Sequence, residues 1–299
     1  MKKILFTGLI HNNEEYLPYL DKCFKSVEKH NKNYKIDYLF YTNNNTDNTD
    51  AILKSLNYEI ISENLSSDFL DKYKNYRIEK LAILRQKLLE KSKEKDFDYM
   101  IIIDTDIFFN GKMVKEAMRI VTEKDLHFTS LNSIINQKIP IHYDWFGRAV
   151  TENYNPIHKN IFLAAKTLIW NNNIIETDGF FNGFLIIKNT DFFKKKFKYI
   201  SQNKNTLFCE HQIPNKILSD NGVKINILIG ITPIYSERYR FFNLFKANIG
   251  KEKAYQEIYE IVSKGEENLK KPYIFEILLI ITIIILYFLV FRLKKIFIR

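Results

Sequence analysis

Cysteine, proline and glycine are scarce in this chain of 299 residues, which holds two, six and nine of them respectively. Two cysteines as far apart as Cys23 and Cys209 make no disulfide framework; they read as ordinary buried thiols. With so little glycine and proline, no stretch reads as a flexible linker. No zinc-knuckle, RNP or helix-turn-helix signature is present, so nucleic acid is not an expected partner despite a formal charge of +10. That charge is spread along the chain and suits anionic lipid or a phosphorylated donor. The N-terminal stretch also does not read as a secretory leader. Met1-Lys2-Lys3 opens onto Ile4 to Ile10, a run too short for a signal peptide that ends in His11-Asn12-Asn13. It reads as a first strand.

What is present is an alternation. Strand patterns at 4–10, 37–42, 58–62 and 99–103 are separated by helical patterns at 15–29, 50–56 and 77–93. Apolar Leu17, Leu20, Phe24 and Val27 mark the first helix, and Ile78, Leu81, Leu84, Leu88 and Leu89 the third. This βαβαβαβ order implies an α/β fold with a mostly parallel central sheet and helices on both faces. The second half is less regular. Strands are expected at 127–131, 182–188 and 222–228, a helix at 210–218 and an amphipathic helix at 248–264.

The stretch FDYMIIIDTDIFFN, residues 97–110, carries the most chemistry. An apolar strand runs into Asp104-Thr105-Asp106. Alternation puts the two aspartates on one side of the strand end. Two carboxylates leaving a buried sheet together need a neutralising partner. Mg2+ or Mn2+, with its preference for hard oxygen ligands, supplies one and can hold a diphosphate as well. Asp104 and Asp106 are therefore the expected metal ligands.

In a parallel sheet ligands bind at the carboxyl ends of the strands. Gly8 to Asn13, Asn43 to Thr49 and Asp104 to Asp106 all fall there, which makes Gly8, Asn12, Asn45 and Asp47 candidate donor-site residues. Asp47 has two readings: a helix cap with Thr49, or an acceptor for ribose or base. On the helix upstream of the aspartates, Arg77, Lys80 and Arg85 are candidates for meeting a diphosphate, and Arg85 interrupts the apolar stripe.

Seven segments then stand in an order that resembles GT-A glycosyltransferases, and specifically the fungal capsule-associated α-1,3-mannosyltransferase family. They are GLIHNNEEYL at 8–17, NNNTDNTDAIL at 43–53, RIEKLAILRQKLL at 77–89, IIIDTDIFF at 101–109, HYDWFGR at 142–148, FFNGFLIIK at 180–188 and CEHQ at 209–212. The resemblance covers roughly residues 3–240. It implies a GT-A fold, a GDP- or UDP-sugar donor, a divalent metal and a hexosyl transfer, with mannose as one candidate sugar. Asp106 matches the family's motif aspartate, and Asp104 completes the D-x-D. Tyr143, Asp144 and Arg148 match a segment near donor or acceptor, and Asn182 and Gly183 one lining the sugar pocket. Glu210 matches a late acidic segment that often holds a base or acceptor contact. An inverting transfer needs a carboxylate base, for which Glu210 and Asp144 are the candidates. His211 is a further base or ligand candidate, although a lone histidine is more often structural; Asp178 is a weaker one.

The C-terminal part adds a membrane. Residues 272–291 are almost wholly apolar, with Glu276 the one charge, and are flanked by Lys270, Lys271, Arg292, Lys294 and Lys295. About 20 residues rising ~1.5 Å each cross a hydrocarbon core of ~30 Å. The expected organisation is a catalytic domain at 1–245, an amphipathic helical linker at 246–271, a transmembrane anchor at 272–291 and a basic tail at 292–299. The expected localisation is a membrane, as a single-pass protein with a C-terminal anchor and a cytosolic catalytic domain. Fungal members of the resembled family carry their anchor at the N-terminus, so compartment and acceptor (glycan, lipid or protein) stay open. Two competing readings remain: a haloacid-dehalogenase-type phosphatase, which also ends a strand in D-x-D, and a membrane-tethered nucleotide- or sugar-binding pseudoenzyme.

Overall fold

The computed structural model describes residues 1–74, 76–131, 133, 174–179, 181, 183–200, 209–228, 231, 233–235 and 251–264. The first half builds β1 (Lys2–Ile10), α1 (Leu17–His30), β2 (Tyr34–Asn43), α2 (Thr49–Ser55), β3 (Glu59–Glu63), α3 (Ser67–Lys72), α4 (Arg77–Lys93) and β4 (Tyr99–Asp104). Then come β5 (Ile107–Phe108), α5 (Gly111–Glu123), β6 (Phe128–Leu131), β7 (Ile174–Thr177), β8 (Phe184–Lys188) and α6 (Asp191–Lys196). The last described elements are α7 (Gln212–Asp220), β9 (Ile225–Leu228), β10 (Ile234–Tyr235) and α8 (Lys251–Ser263).

Eight strands form one sheet in the order β3-β2-β1-β4-β8-β6-β9-β7. β3, β2, β1 and β4 are mutually parallel, as is the β6–β9 pair. The β4–β8, β6–β8 and β7–β9 pairings are antiparallel. The expected mostly parallel α/β sheet is therefore found, with each antiparallel joint in it involving β7 or β8. Strand alternation sorts side chains onto two cores. Ile4, Phe6, Ile10, Tyr99, Ile101 and Ile103 join α1 and α5 on one face. Leu5, Leu39, Met100 and Ile102 join α4 on the other. Successive residues of a strand point to opposite faces, so this split follows directly from period-two geometry.

The chain leaves β1 toward β2 and β3 on one side, then returns to place β4 on the other. That reversal opens a crevice at the carboxyl ends of β1 and β4, the place where open α/β sheets bind ligands.

Several elements, among them α3, β5, α5, β7 and β10, have no counterpart in the sequence expectation. Helix α5 was not anticipated, although Asn110 caps it by accepting from the Met113 amide at 2.9 Å. Helix α8 falls within the amphipathic helix expected at 248–264 and buries Ala254, Tyr255, Ile258 and Val262. Tyr255 packs edge-on against Tyr16 at 5.9 Å, and Tyr255, Ile258 and Val262 belong to the same apolar core as α1 and α5. Among the described residues no helix is long and apolar enough to cross a membrane. The expected anchor at 272–291 and tail at 292–299 lie outside the described residues.

The α1–α5 contact depends on Gly111. A Cβ there would sit 1.9 Å from the Ser26 carbonyl oxygen, which is backbone and cannot swing away. Gly111→Ala is expected to destabilise the protein by roughly 3 kcal/mol by forcing the two helices apart. A denaturant melt that leaves the midpoint unchanged would rule out this packing.

Candidate active site

The crevice is a cavity of about 920 Å³ lined by the ends of β1, β2 and β4, the start of α4 and the segment before α7. Its carboxylates are Asp104, Asp106 and Glu210; its cations are Arg77, Lys80 and Arg85.

Period two explains the carboxylate wall. Asp104 continues the Met100–Ile102 row, so it faces α4. Arg85 stands in the buried stripe of α4, among Ala82, Leu84, Leu88, Leu89 and Ser92. Its Nη2 donates to Asp104 Oδ1 at 2.7 Å and to Glu210 Oε1 at 3.4 Å. The Arg85 side chain is 7% exposed, Glu210's 12% and Asp104's 23%. Burial works against the guanidinium charge, but the two carboxylates outweigh it and hold the Arg85 pKa above its ordinary value. The guanidinium also lies 5.2 Å from the centre of the Phe181 ring. Arg85 thus ties the end of β4 to the segment leading into α7.

Thr105 and Asp106 turn out of β4. Thr105 is buried and donates its hydroxyl to the Leu9 carbonyl at 2.6 Å, which clamps the motif to β1. Gly8 makes that approach possible, since a Cβ there would lie 2.7 Å from the Ile103 carbonyl oxygen. Asp106 is left lining the cavity. The Asp104 amide donates to the Gly183 carbonyl at 2.8 Å, and Gly183 adopts φ +73°. Gly183 therefore meets the motif through its backbone.

The two loops beside the motif are knitted together by polar side chains. Asn12 donates its amide to Asn45 Oδ1 at 2.8 Å, and its own Oδ1 accepts from the Thr46 amide at 2.8 Å. Asp47 accepts from the Thr49 amide at 3.0 Å and the Glu14 amide at 3.1 Å. Burial raises the Asp47 pKa, but the hydrogen bonds from Thr49 and Glu14 win, and it ends below its ordinary value. Asn12, Asn45 and Asp47 are thus the frame of the rim, while His11, Asn13, Asn43 and Asn44 line the cavity itself. Asn12 and Asn44 sit at φ +47° and +43°, left-handed positions that asparagine tolerates better than other side chains. His11 faces Asn43, its Nδ1 2.7 Å from the Asn43 carbonyl oxygen. Sequence reasoning passed over His11, Asn13, Asn43 and Asn44 as lining residues; the polar run that ends β1 was the available signal.

Of the other candidates, His211 is 2% exposed and stacks face to face on Phe181 at 3.7 Å. Burial, helped by the Arg85 charge, holds its pKa well below the ordinary histidine value, so the ring is neutral. It stands behind Glu210, with Nε2 3.7 Å from Glu210 Oε1, and does not line the cavity. Asp178 pairs with Lys224 at the surface, away from the cavity. Tyr143, Asp144, Arg148 and Asn182 lie outside the described residues. Cys23 is buried, its thiol pushed up to about 12 by burial, and Cys209 is a buried thiol whose Sγ donates to Glu210 Oε2 at 3.6 Å.

Among the described residues no group of three or more histidine, cysteine or acidic side chains has metal-binding spacing. The donor set nevertheless fits a hard cation: Asp104 and Asp106 are two carboxylates lining the same cavity. Mg2+ and Mn2+ are commonly held by one or two carboxylates, with waters and substrate phosphates completing the shell.

No family model and no curated protein matches this chain. Solved structures are similar at low identity. One is S. aureus TarS 1–349, 13% identical over 88% of this chain and 71% of that one, with a TM-score of 0.49. Another is the mannosyltransferase PcManGT from Pyrobaculum calidifontis in complex with GDP-Man and Mn2+. It is 8% identical over 87% of this chain and 73% of that one, with a TM-score of 0.48. A third is glucosyl-3-phosphoglycerate synthase from Mycobacterium tuberculosis in complex with Mn2+, UDP and phosphoglyceric acid. It is 10% identical over 62% of this chain and 56% of that one, with a TM-score of 0.36. Likenesses of this size carry no functional argument, which rests instead on the residues of the crevice.

Proposed function

We propose that this chain is a metal-dependent glycosyltransferase of GT-A type that moves a sugar from a GDP- or UDP-sugar to a glycan, lipid or protein acceptor at a membrane. The observation that carries this reading is the opposition of charges across one crevice. Asp104 and Asp106 stand on the β4 side, and Arg77 and Lys80 in the first turn of α4 on the other. A diphosphate needs both. The first turn of a helix presents unpaired amides and a partial positive charge, and two cations beside it add to that field. Asp104 and Asp106 would hold Mn2+ or Mg2+, which supplies charge neutralisation for the leaving diphosphate. His11, Asn43 and Asn44, at the ends of β1 and β2, would border the nucleoside. Glu210 is the carboxylate best placed to orient or deprotonate an acceptor hydroxyl, because Arg85 fixes it on the same wall as the aspartates. Mannose as the sugar, and residues 272–291 as a membrane anchor with the domain on the cytosolic side, belong to the same proposal.

The test is a donor panel. The full chain in detergent, with GDP- and UDP-sugars and Mn2+, is expected to hydrolyse or transfer from one donor and to stop when EDTA is added. Phosphate release from simple monoesters would replace this reading with a phosphatase. Donor binding without turnover would replace it with a binding protein.

A further inference from the structure

The ion triad uses only part of the Arg85 guanidinium. Nη2 serves both carboxylates, whereas Nε and Nη1 are buried with no hydrogen-bond partner among the described residues. The hydroxyls of Thr7 and Tyr199 are in the same condition. These three residues are 6%, 2% and 1% exposed respectively, and they line one small cavity of about 10 Å³ on the far side of Arg85 from the crevice. Their meeting follows from the fold. Thr7 lies in the β1 row that faces α4, two residues after Leu5. Tyr199 is held against α4 because its amide donates to Gln86 Oε1 at 2.7 Å.

Buried polar atoms almost always find partners. Here two guanidinium nitrogens, carrying three N–H groups, and two hydroxyls belong to residues that share, with Leu88, Leu89, Met100 and Ile102, the lining of a space the size of one water. A buried water makes two to four hydrogen bonds and needs about that volume. It can accept from Arg85 and donate to Thr7 Oγ1 and Tyr199 Oη, which satisfies every atom left over. A cation is excluded by the guanidinium itself. We propose that this cavity binds a single ordered water bridging Arg85, Thr7 and Tyr199. Through it, Thr7 and Tyr199 act as positioning residues for Asp104 and Glu210. The second half of the proposal rests on the transferase reading; the first does not.

Thermal midpoints and donor turnover with Mn2+, measured on the full chain and on T7V, T7S and Y199F, test both halves. With the water in place, T7V and Y199F each remove one of its partners. Each is expected to lower the midpoint by on the order of 2 °C. Each also lowers kcat about tenfold with donor KM held within about twofold, and T7S recovers most of what T7V loses. A rise in midpoint for T7V and Y199F overturns the water, because removing a truly orphaned hydroxyl is stabilising. A lower midpoint with unchanged kcat overturns the positioning role and leaves the water a structural one. Should the wild-type chain turn over no donor, the transferase reading and the positioning role fall together, while the sign of the midpoint shift still decides the water.

Discussion

Asp106→Asn is expected to abolish turnover, lowering kcat by about a thousandfold. Asp104 and Asp106 are the two carboxylates proposed to hold the cation, and Asp106 lines the cavity at the turn that ends β4. Asparagine keeps the shape and one carbonyl oxygen but loses the charge. A Lewis-acid metal contributes several kcal/mol to stabilising a leaving diphosphate, and about 1.36 kcal/mol is a factor of ten. The Mn2+ concentration needed for half activity should rise in the variant, and a calorimetric Mn2+ titration should show the weaker binding without any turnover. The fold should survive, since Asp106 stands at the turn and is not part of the core. Activity within tenfold of wild type, with unchanged Mn2+ dependence, would remove Asp106 from the metal site.

Arg85→Met is expected to cost about 3–5 kcal/mol of stability, because it strands two partly buried carboxylates without their cation. Methionine matches the length of the arginine stem and keeps the packing of the α4 stripe, so the loss reads the charge and hydrogen bonds alone. Arg85→Lys should recover only part of it: an ammonium is a strongly hydrated point charge with no planar guanidinium to lay against the Phe181 ring. Denaturant midpoints of the three proteins check the order wild type, Lys, Met. Equal stability of wild type and Arg85→Met would mean that the triad is not formed in solution. Hydrophobic replacement of a whole buried ion network is often neutral, so the triple change of Arg85, Asp104 and Glu210 to apolar residues makes a useful contrast: it should be far more stable than Arg85→Met alone.

The parallel half of the sheet was legible because β1 and β4 are buried along most of their length and the strands are set off by helices; α4 was bounded to the residue. The crevice was legible too, since the polar segments after β1, β2 and β4 had to fall on one rim. What each polar residue does was less so. Arg85 could be noticed as a break in an apolar stripe, but its partners lie 19 and 125 residues away, and only the fold brings them together. Asp47 had the look of either a cap or a nucleotide contact; its oxygens are in fact occupied by two backbone amides. The two-residue pairing of β5 with β10 has no local signature, because it exists only by tertiary contact. Helix α5 is a different case. Its capping asparagine and periodic Met113, Val114, Ala117, Met118 and Val121 are a legible helix pattern in the sequence.

The docking of α8 has a consequence for reach. The helix is locked to the domain, with Val262 buried and its carbonyl accepting from Asn110 Nδ2 at 2.5 Å. If residues 272–291 lie in a bilayer, only residues 265–271 remain as a leash. Seven residues span at most about 25 Å even when fully drawn out. The domain could then turn about its tether but could not roam, and it would sample only acceptors displayed within a shallow layer above the lipid headgroups. A long soluble glycan would have to bend down to such an enzyme, whereas a sugar or hydroxyl carried on a lipid, or on the first residues of a neighbouring membrane protein, would already be at working height.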